Sequence, residues 1–184
     1  GGINNLLSPF LPAGFYYKTF MWPASFWRKY EFFIRHSSGL GKSPTKPDPD
    51  VYDHRYIHCD VLVVGGGISG IIAAKMAAKN NLKTVLIEEK NELGGSTIYQ
   101  NSELYKIEND NSSDWLKKEI DELKQIKNID IKTRTSVAAF HSYNFLLARE
   151  NLTDHLTLSE RKDKIRQRLW KIRAKKVIIA TGAI

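Results

Sequence analysis

Residues 60–70 read Asp-Val-Leu-Val-Val-Gly-Gly-Gly-Ile-Ser-Gly, and Glu88 follows the last of these glycines by eighteen residues. The pattern predicts a buried strand, a glycine turn, a helix, a second strand and an acidic residue at its end. A GxGxxG triplet alone is a weak signal, but here every element that it needs occurs in order. We therefore predict a βαβ unit that binds an adenine dinucleotide.

The three spaced glycines have different expected roles. Gly65 permits the tight turn off the strand, Gly67 lets the backbone approach a pyrophosphate, and Gly70 lets the helix pack closely. The pyrophosphate is expected at the helix N-terminus, because unpaired N–H groups and the positive end of the helix dipole lie there.

The residues at the end of the second strand bear on which nucleotide is bound. Glu88 is placed to accept hydrogen bonds from an adenosine ribose. Its carboxylate repels the 2′-phosphate that distinguishes NADP, so NADP is disfavoured, while NAD and FAD both remain. Lys90 follows two residues later and offsets part of that repulsion.

The remaining pattern defines the fold class. Gly94-Gly95 is predicted to close the nucleotide site, and the later elements are a helix capped by Ser113, a strand at 129–133, strands near 143–149 and 168–173, and a final buried strand that ends at Ala180-Thr181-Gly182. This order predicts an α/β, Rossmann-like FAD/NAD(P)-binding domain with a β-meander. The Ala-Thr-Gly turn is expected to bring backbone close to the same cofactor.

Composition divides the chain into two parts. All six prolines and eleven of the twenty aromatic residues lie before residue 50. We predict an aromatic and Pro-rich docking or linker segment at 1–57, with a short helix at 25–36, and a dinucleotide-binding domain at 58–184. The first residue is Gly1 and the last run reads as a buried strand, so we expect an internal fragment whose domain is incomplete at the C-terminus.

The net charge of +8 is concentrated in one region. Residues 161–176 hold nine basic residues and one acidic residue, whereas the rest of the chain has nineteen of each. The alternation from Arg166 onward favours a solvated hairpin face over a nucleic-acid site, because no base-stacking aromatic cluster accompanies it. A docking surface for an acidic partner subunit is the alternative.

Other classes of function lack support in the sequence. The one cysteine, Cys59, excludes an internal disulfide and a CxxC pair, and is expected to be a small buried side chain. No signal peptide or membrane-spanning run is visible, so we expect a cytoplasmic protein. The five histidines show no zinc spacing, and we predict no metal site and no catalytic residue within the chain. Lys18 is interpreted as a surface lysine, with an ammonium near a flavin as the alternative.

Several stretches resemble the alpha subunits of heterotetrameric sarcosine oxidases. The resemblance is carried by Phe-Leu-Pro-Ala-Gly-Phe-Tyr-Tyr-Lys-Thr-Phe-Met-Trp-Pro at 10–23, Pro-Asp-Pro-Asp at 47–50, His-Cys-Asp at 58–60 and the glycine motif. It continues through 94–96, 153–156 and 166–170 to 180–184, and so covers nearly the whole chain. The aromatic block is far more specific than the glycine motif.

The resemblance implies an oxidoreductase complex that demethylates sarcosine to glycine, with electrons passed to oxygen as hydrogen peroxide and the one-carbon unit passed to tetrahydrofolate. It implies NAD on this chain, FAD and FMN mainly on the beta subunit, and gamma and delta subunits as further partners. The folate-binding region would lie outside this chain. The chain is therefore expected to hold a nucleotide rather than to oxidise the amine.

The resemblance also assigns site residues. The NAD site would comprise the glycine turn, the residues around the ribose, one pocket residue, one backbone contact near the adenine and the second turn, namely Gly65, Gly67, Ser69, Gly70, Glu88, Glu89, Lys90, Ser96, Val137 and Gly182. Two alternatives stay open: an FAD-binding electron-transfer subunit of a related amine or amino-acid dehydrogenase, and a non-catalytic assembly subunit stapled by its nucleotide.

Overall fold

The computed structural model describes residues 23–41, 45–99 and 105–182. The chain divides into two compact units, Gly1–Asp48 and Pro49–Ile184. This division lies ahead of the predicted boundary between residues 57 and 58, because the first strand already begins at Val51. The aromatic block at 10–22 and Lys18 lie outside the described residues.

The first unit contains the helix predicted at 25–36. A 3₁₀ turn at Ala24–Phe26 leads into helix α1, Trp27–Ser37, and the helix ends where Gly39 takes a left-handed φ of +70°. No side chain of α1 is buried, and Phe33 is 68% exposed. None of the helices in the described ranges has the length and apolarity needed to cross a membrane.

The second unit is an α/β domain. Its elements in chain order are β1 (Val51–Val64), α2 (Ile68–Lys79), β2 (Thr84–Ile87), a 3₁₀ helix (Gly95–Tyr99), β3 (Lys106–Ile107), β4 (Asp110–Asn111), α3 (Ser112–Gln125), β5 (Ile129–Lys132), β6 (Thr135–His141), a 3₁₀ turn (Ser142–Asn144), β7 (Phe145–Asn151) and β8 (Ile165–Ile179). Six strands form one sheet in the order β5-β2-β1-β8-β7-β6, and β3 and β4 form a separate hairpin.

The main sheet combines two kinds of pairing. β5, β2, β1 and β8 pair in parallel, whereas β7 is antiparallel to both β8 and β6. The parallel part with α2 between β1 and β2 is a Rossmann-type unit, and β6, β7 and β8 form the meander. The predicted fold class is therefore confirmed.

The side-chain alternation of β1 inverts around Asp60, where these two parts meet. The N–H groups of Asp60 and Val61 both donate to the carbonyl oxygen of Lys83, at 2.8 and 3.2 Å. Cys59 and Leu62 lie in the same apolar cluster although they are three positions apart. The strand β8 inverts in step, since Ala174 and Val177 both pack in that cluster while the β1–β8 register is unbroken there. Both strands therefore serve the meander with one set of side chains and the parallel sheet with the other.

Two apolar clusters lie on the two faces of the sheet. Helices α2 and α3 cover one face, where Ile71 and Ala74 are fully buried against Val63 and Leu86. Lys75 of α2 pairs with Glu119 and Glu122 of α3, which links the two helices. The opposite cluster is formed by Leu62, Val64, Val85, Ile87, Leu146, Trp170 and Ile172 among others.

Three predictions about local structure are wrong. The strand predicted at 168–173 and the final strand are one continuous strand, β8, and its end is not buried, since Ile179 is 58% exposed. The helix that was expected to be capped by Ser113 begins at Ser112 and has Asn111 at its N-cap. The alternation of apolar and charged residues, and the burial of their side chains, both change where β8 leaves the meander. The sequence of this one strand therefore resembles that of two separate strands.

The basic run at 161–176 is only partly the solvated face that was predicted. Arg161 forms an ion pair with Asp50, Nε to Oδ1 at 3.0 Å, and Arg168 forms one with Asp53, Nε to Oδ2 at 2.9 Å. Arg166 also binds Asp50. These carboxylates precede or begin β1, far away in sequence, so the pairing arises from tertiary structure and has no local signature.

Replacing Asp53 by asparagine should change how stability depends on pH. The Arg168 hydrogen bond, assisted by Arg55, holds the pKa of Asp53 below its ordinary value of 3.8. A carboxyl whose pKa is lowered by folding contributes stability above its unfolded pKa, and that contribution disappears as the pH falls through the folded pKa. Urea denaturation should therefore show Asp53→Asn to be less stable at neutral pH, with the difference shrinking below 3.8.

The exposed Asp130 offers a matched control for this measurement. Asp130→Asn should show a smaller difference from wild type at neutral pH, because among the described residues Asp130 is paired with Lys132 alone and is solvent-exposed. A difference for Asp53→Asn that stays constant between pH 7 and strongly acidic pH would contradict the assigned ion pair.

Candidate functional site

The glycine turn after β1 has the geometry that the motif predicts. Gly65 has a φ of +106°, and its N–H donates to the carbonyl oxygen of Ile87 at 2.8 Å. A Cβ atom on Gly65 would lie 2.3 Å from the carbonyl oxygen of Ala180. Only glycine therefore permits both the left-handed backbone and the close packing of the Ala180-Thr181 segment on the turn.

The N-terminus of α2 opens onto free space. Gly67 is the N-cap residue, and its carbonyl oxygen accepts the first helical hydrogen bond from the N–H of Ile71 at 2.9 Å. The N–H groups of the first turn have no acceptor within the helix, and no side chain caps them. Among the described atoms, a Cβ on Gly67 would approach only the Cα of Gly95, at 4.0 Å. Donors, a positive dipole end and open space together fit a phosphate group.

The third glycine of the motif fixes the helix against the turn. A Cβ on Gly70 would lie 1.8 Å from the carbonyl oxygen of Gly65, so any side chain here would push α2 off the strand end. Ser69, in the same helical turn, has an exposed side chain. The first turn of α2 is thus held close to the glycine turn while its outer side stays open.

Glu88 lies directly beside the glycine turn. Its side chain is buried at 6% exposure, and its Oε2 accepts a hydrogen bond from the N–H of Gly66 at 2.6 Å. Its Oε1 accepts one from the N–H of Lys90 at 2.8 Å. A carboxylate has about four lone-pair sites. The two main-chain bonds therefore orient Glu88 and leave capacity to accept hydrogen bonds from ribose hydroxyls.

A second glycine turn packs directly against the first, and both border the open space at the N-terminus of α2, which we call the cleft. The N–H of Gly94 donates to the carbonyl oxygen of Gly66 at 2.8 Å, and a Cβ on Gly95 would lie 3.0 Å from the Cα of Gly67. Both residues have positive φ, +130° and +60°. Our predicted set omitted Gly66, Gly94 and Gly95, although the Gly94-Gly95 pair was itself a signal in the sequence.

The other predicted residues are spread more widely. Glu89, Lys90 and Ser96 are exposed, and the Lys90 ammonium lies 4.7 Å from the centre of the Tyr99 ring. Val137 lies in β6 and packs against the apolar cluster that contains Leu62. Gly182 follows β8 with a φ of +74°. The structure thus brings Gly65, Gly67, Gly70 and Glu88 into one cleft, with exposed side chains after Glu88.

Two cavities lie next to this cleft, on the side of α3. They have volumes of about 400 and 510 Å³, and both are lined by Glu92, Leu93, Ile120 and Lys124. Neither is lined by Gly65, Gly67 or Glu88. The candidate nucleotide site is therefore the open cleft at the N-terminus of α2, beside the two glycine turns, rather than either cavity.

Other reactive groups do not converge on the cleft. Burial raises the pKa of the Cys59 thiol to about 11, so the thiol is protonated at neutral pH and is a poor nucleophile. In the part of the chain that the structure describes, no three His, Cys, Asp or Glu side chains group as metal ligands would. The chemistry that this cleft supports is binding and orientation of a nucleotide.

Comparison with known protein families identifies the family of this chain. Residues 60–165 match the family described as FAD dependent oxidoreductase. The chain belongs to this family. The match begins at Asp60, within β1, and includes the glycine turn, α2 and Glu88. Membership of the FAD dependent oxidoreductase family makes the chain part of an oxidoreductase and supports a flavin or other dinucleotide cofactor.

The resemblance stated from the sequence is confirmed. The chain is 40% identical over all 184 residues to the sarcosine oxidase subunit alpha of Rhizobium meliloti (strain 1021), and covers 18% of that protein. It is 35% identical over 146 residues to the sarcosine oxidase subunit alpha of Corynebacterium sp. (strain U-96), covering 79% of this chain and 15% of that protein. The chain thus spans less than a fifth of the length of these curated relatives.

A solved structure shares the fold. The L-proline dehydrogenase from P. horikoshii superimposes with a TM-score of 0.56 and 26% sequence identity, over 78% of this chain and 26% of that chain. This oxidoreductase fold agrees with the family assignment.

Proposed function

We propose that this chain is the nucleotide-binding part of the alpha subunit of a heterotetrameric sarcosine oxidase, and that NAD occupies the cleft at the N-terminus of α2, beside the two glycine turns. The likeness to sarcosine oxidase alpha subunits over the full chain supports the parent enzyme. The observation that carries the site is the open space at Gly67, at the uncapped N-terminus of α2 and next to the oriented carboxylate of Glu88.

Each part of the nucleotide has a proposed partner. The pyrophosphate accepts hydrogen bonds from the first N–H groups of α2, and the ribose hydroxyls of the adenosine donate to Glu88. The buried carboxylate disfavours a 2′-phosphate at the same position. The complete proposed set is Gly65, Gly67, Ser69, Gly70, Glu88, Glu89, Lys90, Ser96, Val137 and Gly182, with Val137 offering backbone near the adenine.

The proposed reaction belongs to the whole protein. Two electrons leave the N-methyl group of sarcosine and reach oxygen, which is reduced to hydrogen peroxide; the one-carbon unit passes to tetrahydrofolate and glycine is released. The flavins that carry these electrons would be held mainly by a beta subunit, with gamma and delta subunits completing the assembly. This chain would bind and orient its nucleotide. A cytoplasmic location agrees with its single cysteine.

FAD in the same cleft is the second candidate. The family match to FAD dependent oxidoreductases favours it, and Glu88 suits both nucleotides because FAD contains the same adenosine ribose. The chain would then be an electron-transfer subunit of a related amine or amino-acid dehydrogenase. A third candidate function is structural: the bound nucleotide would stabilise the subunit assembly and have no redox role.

The decisive experiment compares the full-length protein and its Gly67→Ala variant, each purified with its partner subunits. Nucleotides released on denaturation are identified by chromatography and by absorption spectra. We expect about one NAD per alpha chain in the wild type and little in Gly67→Ala, because the new methyl group occupies the space assigned to the phosphate. The fold should be preserved, since Gly67 has a φ of −72° and no described atom closer than 4.0 Å to that methyl position.

Ser38→Ala serves as the control, because Ser38 lies in the first unit, is exposed and has a φ of −86° that alanine adopts without strain. It should retain the nucleotide. Release of FAD instead of NAD, lost in the Gly67 variant, would favour the second candidate. An assembled wild-type complex that oxidises no N-methyl amine would contradict the sarcosine oxidase assignment.

A further inference from the structure

One face of the meander exposes apolar rings and cations together. Along β8, Trp170 and Ile172 are buried while the alternating Leu169 and Arg173 are exposed. β1 and β7 continue the exposed side. We name this surface the meander face and define it by six side chains: Tyr52, Tyr56, Phe145, Leu169, Lys171 and Arg173.

The cations of the meander face are held by rings rather than by carboxylates. The Lys171 ammonium lies 5.0 Å from the centre of the Tyr56 ring, and the Arg173 guanidinium lies 4.9 Å from the centre of the Phe145 ring. Arg173 also donates to the carbonyl oxygen of Tyr143 at 2.9 Å. These contacts fix both cations in place, which reduces the entropy that they would lose on binding a partner.

The charges on this side of the sheet are mainly positive. The exposed Arg149, opposite Leu169 in the β7–β8 ladder, adds a third cation. Within the described ranges, the nearby carboxylates are already engaged: Asp53 and Glu150 bind Arg168 on the opposite side of the sheet, and Asp60 pairs with Lys175 at 2.8 Å. The meander face therefore complements a negatively charged surface.

The side chains of the meander face are also of the type found at the centres of protein interfaces. Tyrosine and arginine are enriched at energetic hot spots, whereas an ordinary solvated sheet face carries polar side chains. Tyr56 is 65% exposed and Leu169 is 36% exposed. A single-stranded nucleic acid fits less well, because base stacking needs free ring faces and the rings of Tyr56 and Phe145 are already covered by cations.

We propose that the meander face binds an acidic surface on a partner subunit of the same oxidoreductase. The partner's carboxylates pair with Lys171, Arg173 and Arg149, and its apolar groups cover Leu169 and Tyr56. The choice of a partner subunit rests on the proposed function, because the relatives are named as alpha subunits. The charge and apolar character of the meander face do not depend on which nucleotide the chain binds.

The test uses the full-length alpha chain co-expressed with its partner subunits. The variant Lys171→Glu/Arg173→Glu should weaken association with one partner subunit by about tenfold or more, measured by sedimentation at low salt, because it places like charges opposite the acidic surface. Raising the salt concentration should weaken the wild-type association in the same direction. The matched control Lys162→Glu/Lys164→Glu makes the same change of charge at exposed residues outside the face, and should leave assembly unchanged.

A second measurement does not depend on how the variants fold. Carbodiimide joins amines to carboxylates that are in contact, so in the wild-type complex it should link Lys171 to an Asp or Glu of the partner subunit. Intact assembly in Lys171→Glu/Arg173→Glu, or no such cross-link, would overturn the proposal. It would also be overturned if the variant instead abolished self-association of the alpha chain or binding of a single-stranded oligonucleotide. Nucleotide content should be equal in all samples, so a failure here is distinct from a failure of the NAD proposal.

Discussion

Gly70→Ala is expected to destabilise the nucleotide-binding unit by about 3 kcal/mol or more. Alanine in a helix is normally the more stable residue, by about 1 kcal/mol relative to glycine. Here the sign reverses, because the added Cβ would lie 1.8 Å from the carbonyl oxygen of Gly65. The Cβ is fixed directly to the backbone of α2, and the carbonyl oxygen is itself a backbone atom. The steric clash can therefore be relieved only if α2 moves away from the turn and from Ala180.

Amide hydrogen exchange measures this effect locally, without assuming that the whole protein unfolds in one step. Exchange at β1 and at the hydrogen-bonded amides of α2 that follow its first turn should accelerate by more than a hundredfold, which corresponds to about 2.7 kcal/mol or more. Ser69→Ala, one residue earlier in the same turn and exposed, should change exchange little. Unchanged exchange in Gly70→Ala would contradict the close packing of α2 on the turn.

Glu88→Ala is expected to weaken nucleotide binding by about a hundredfold or more. The variant removes the acceptor that we propose for the ribose hydroxyls, and hydrogen bonds to a charged group contribute about 1.5–3 kcal/mol each. It also leaves the N–H groups of Gly66 and Lys90 without the acceptor that now orients them. Isothermal titration of the nucleotide-free complex with NAD, and separately with FAD, measures the loss.

Two further substitutions, one at Glu88 and one at the next residue, test this prediction more closely. Glu88→Gln retains one oxygen acceptor but has an amide donor on its other arm, so it cannot serve both N–H groups and should lie between wild type and Glu88→Ala. Glu89→Ala removes an exposed carboxylate next to the cleft and should weaken binding only severalfold. Equal losses for Glu88→Ala and Glu89→Ala would show that Glu88 does not hold the ribose.

The parallel half of the fold was predictable because its signals are local. The apolar run at 61–64, the spaced glycines and Glu88 each occupy the element that their spacing predicts, and Asn81 adopts a left-handed φ of +60° where the chain leaves α2. The Ala-Thr-Gly turn was expected to bring backbone close to the cofactor, and Ala180 packs directly on the glycine turn at Gly65. These features depend on short stretches of chain.

The features that sequence reasoning missed depend on pairing between distant strands. Nothing near Val51 shows that a strand begins there, because its partner β8 starts more than one hundred residues later. The same holds for the ion pair between Asp50 and Arg161. The meander face was missed for the same reason. Its aromatic rings come from β1 and β7 and its cations from β8, and these strands are brought together only by folding.

The long pairing of β1 with β8 limits how this protein can be rebuilt. Tyr52 to Cys59 are hydrogen-bonded to β8, so they form part of the sheet and are not a tether for the first unit. Adding or removing one residue between Tyr52 and Cys59 would exchange the two faces of that strand, exposing Ile57 and burying Tyr56. A change directly ahead of Val51 would displace Asp50 from Arg161 and Arg166. A replacement of the first unit should therefore be joined to the chain no later than Asp48.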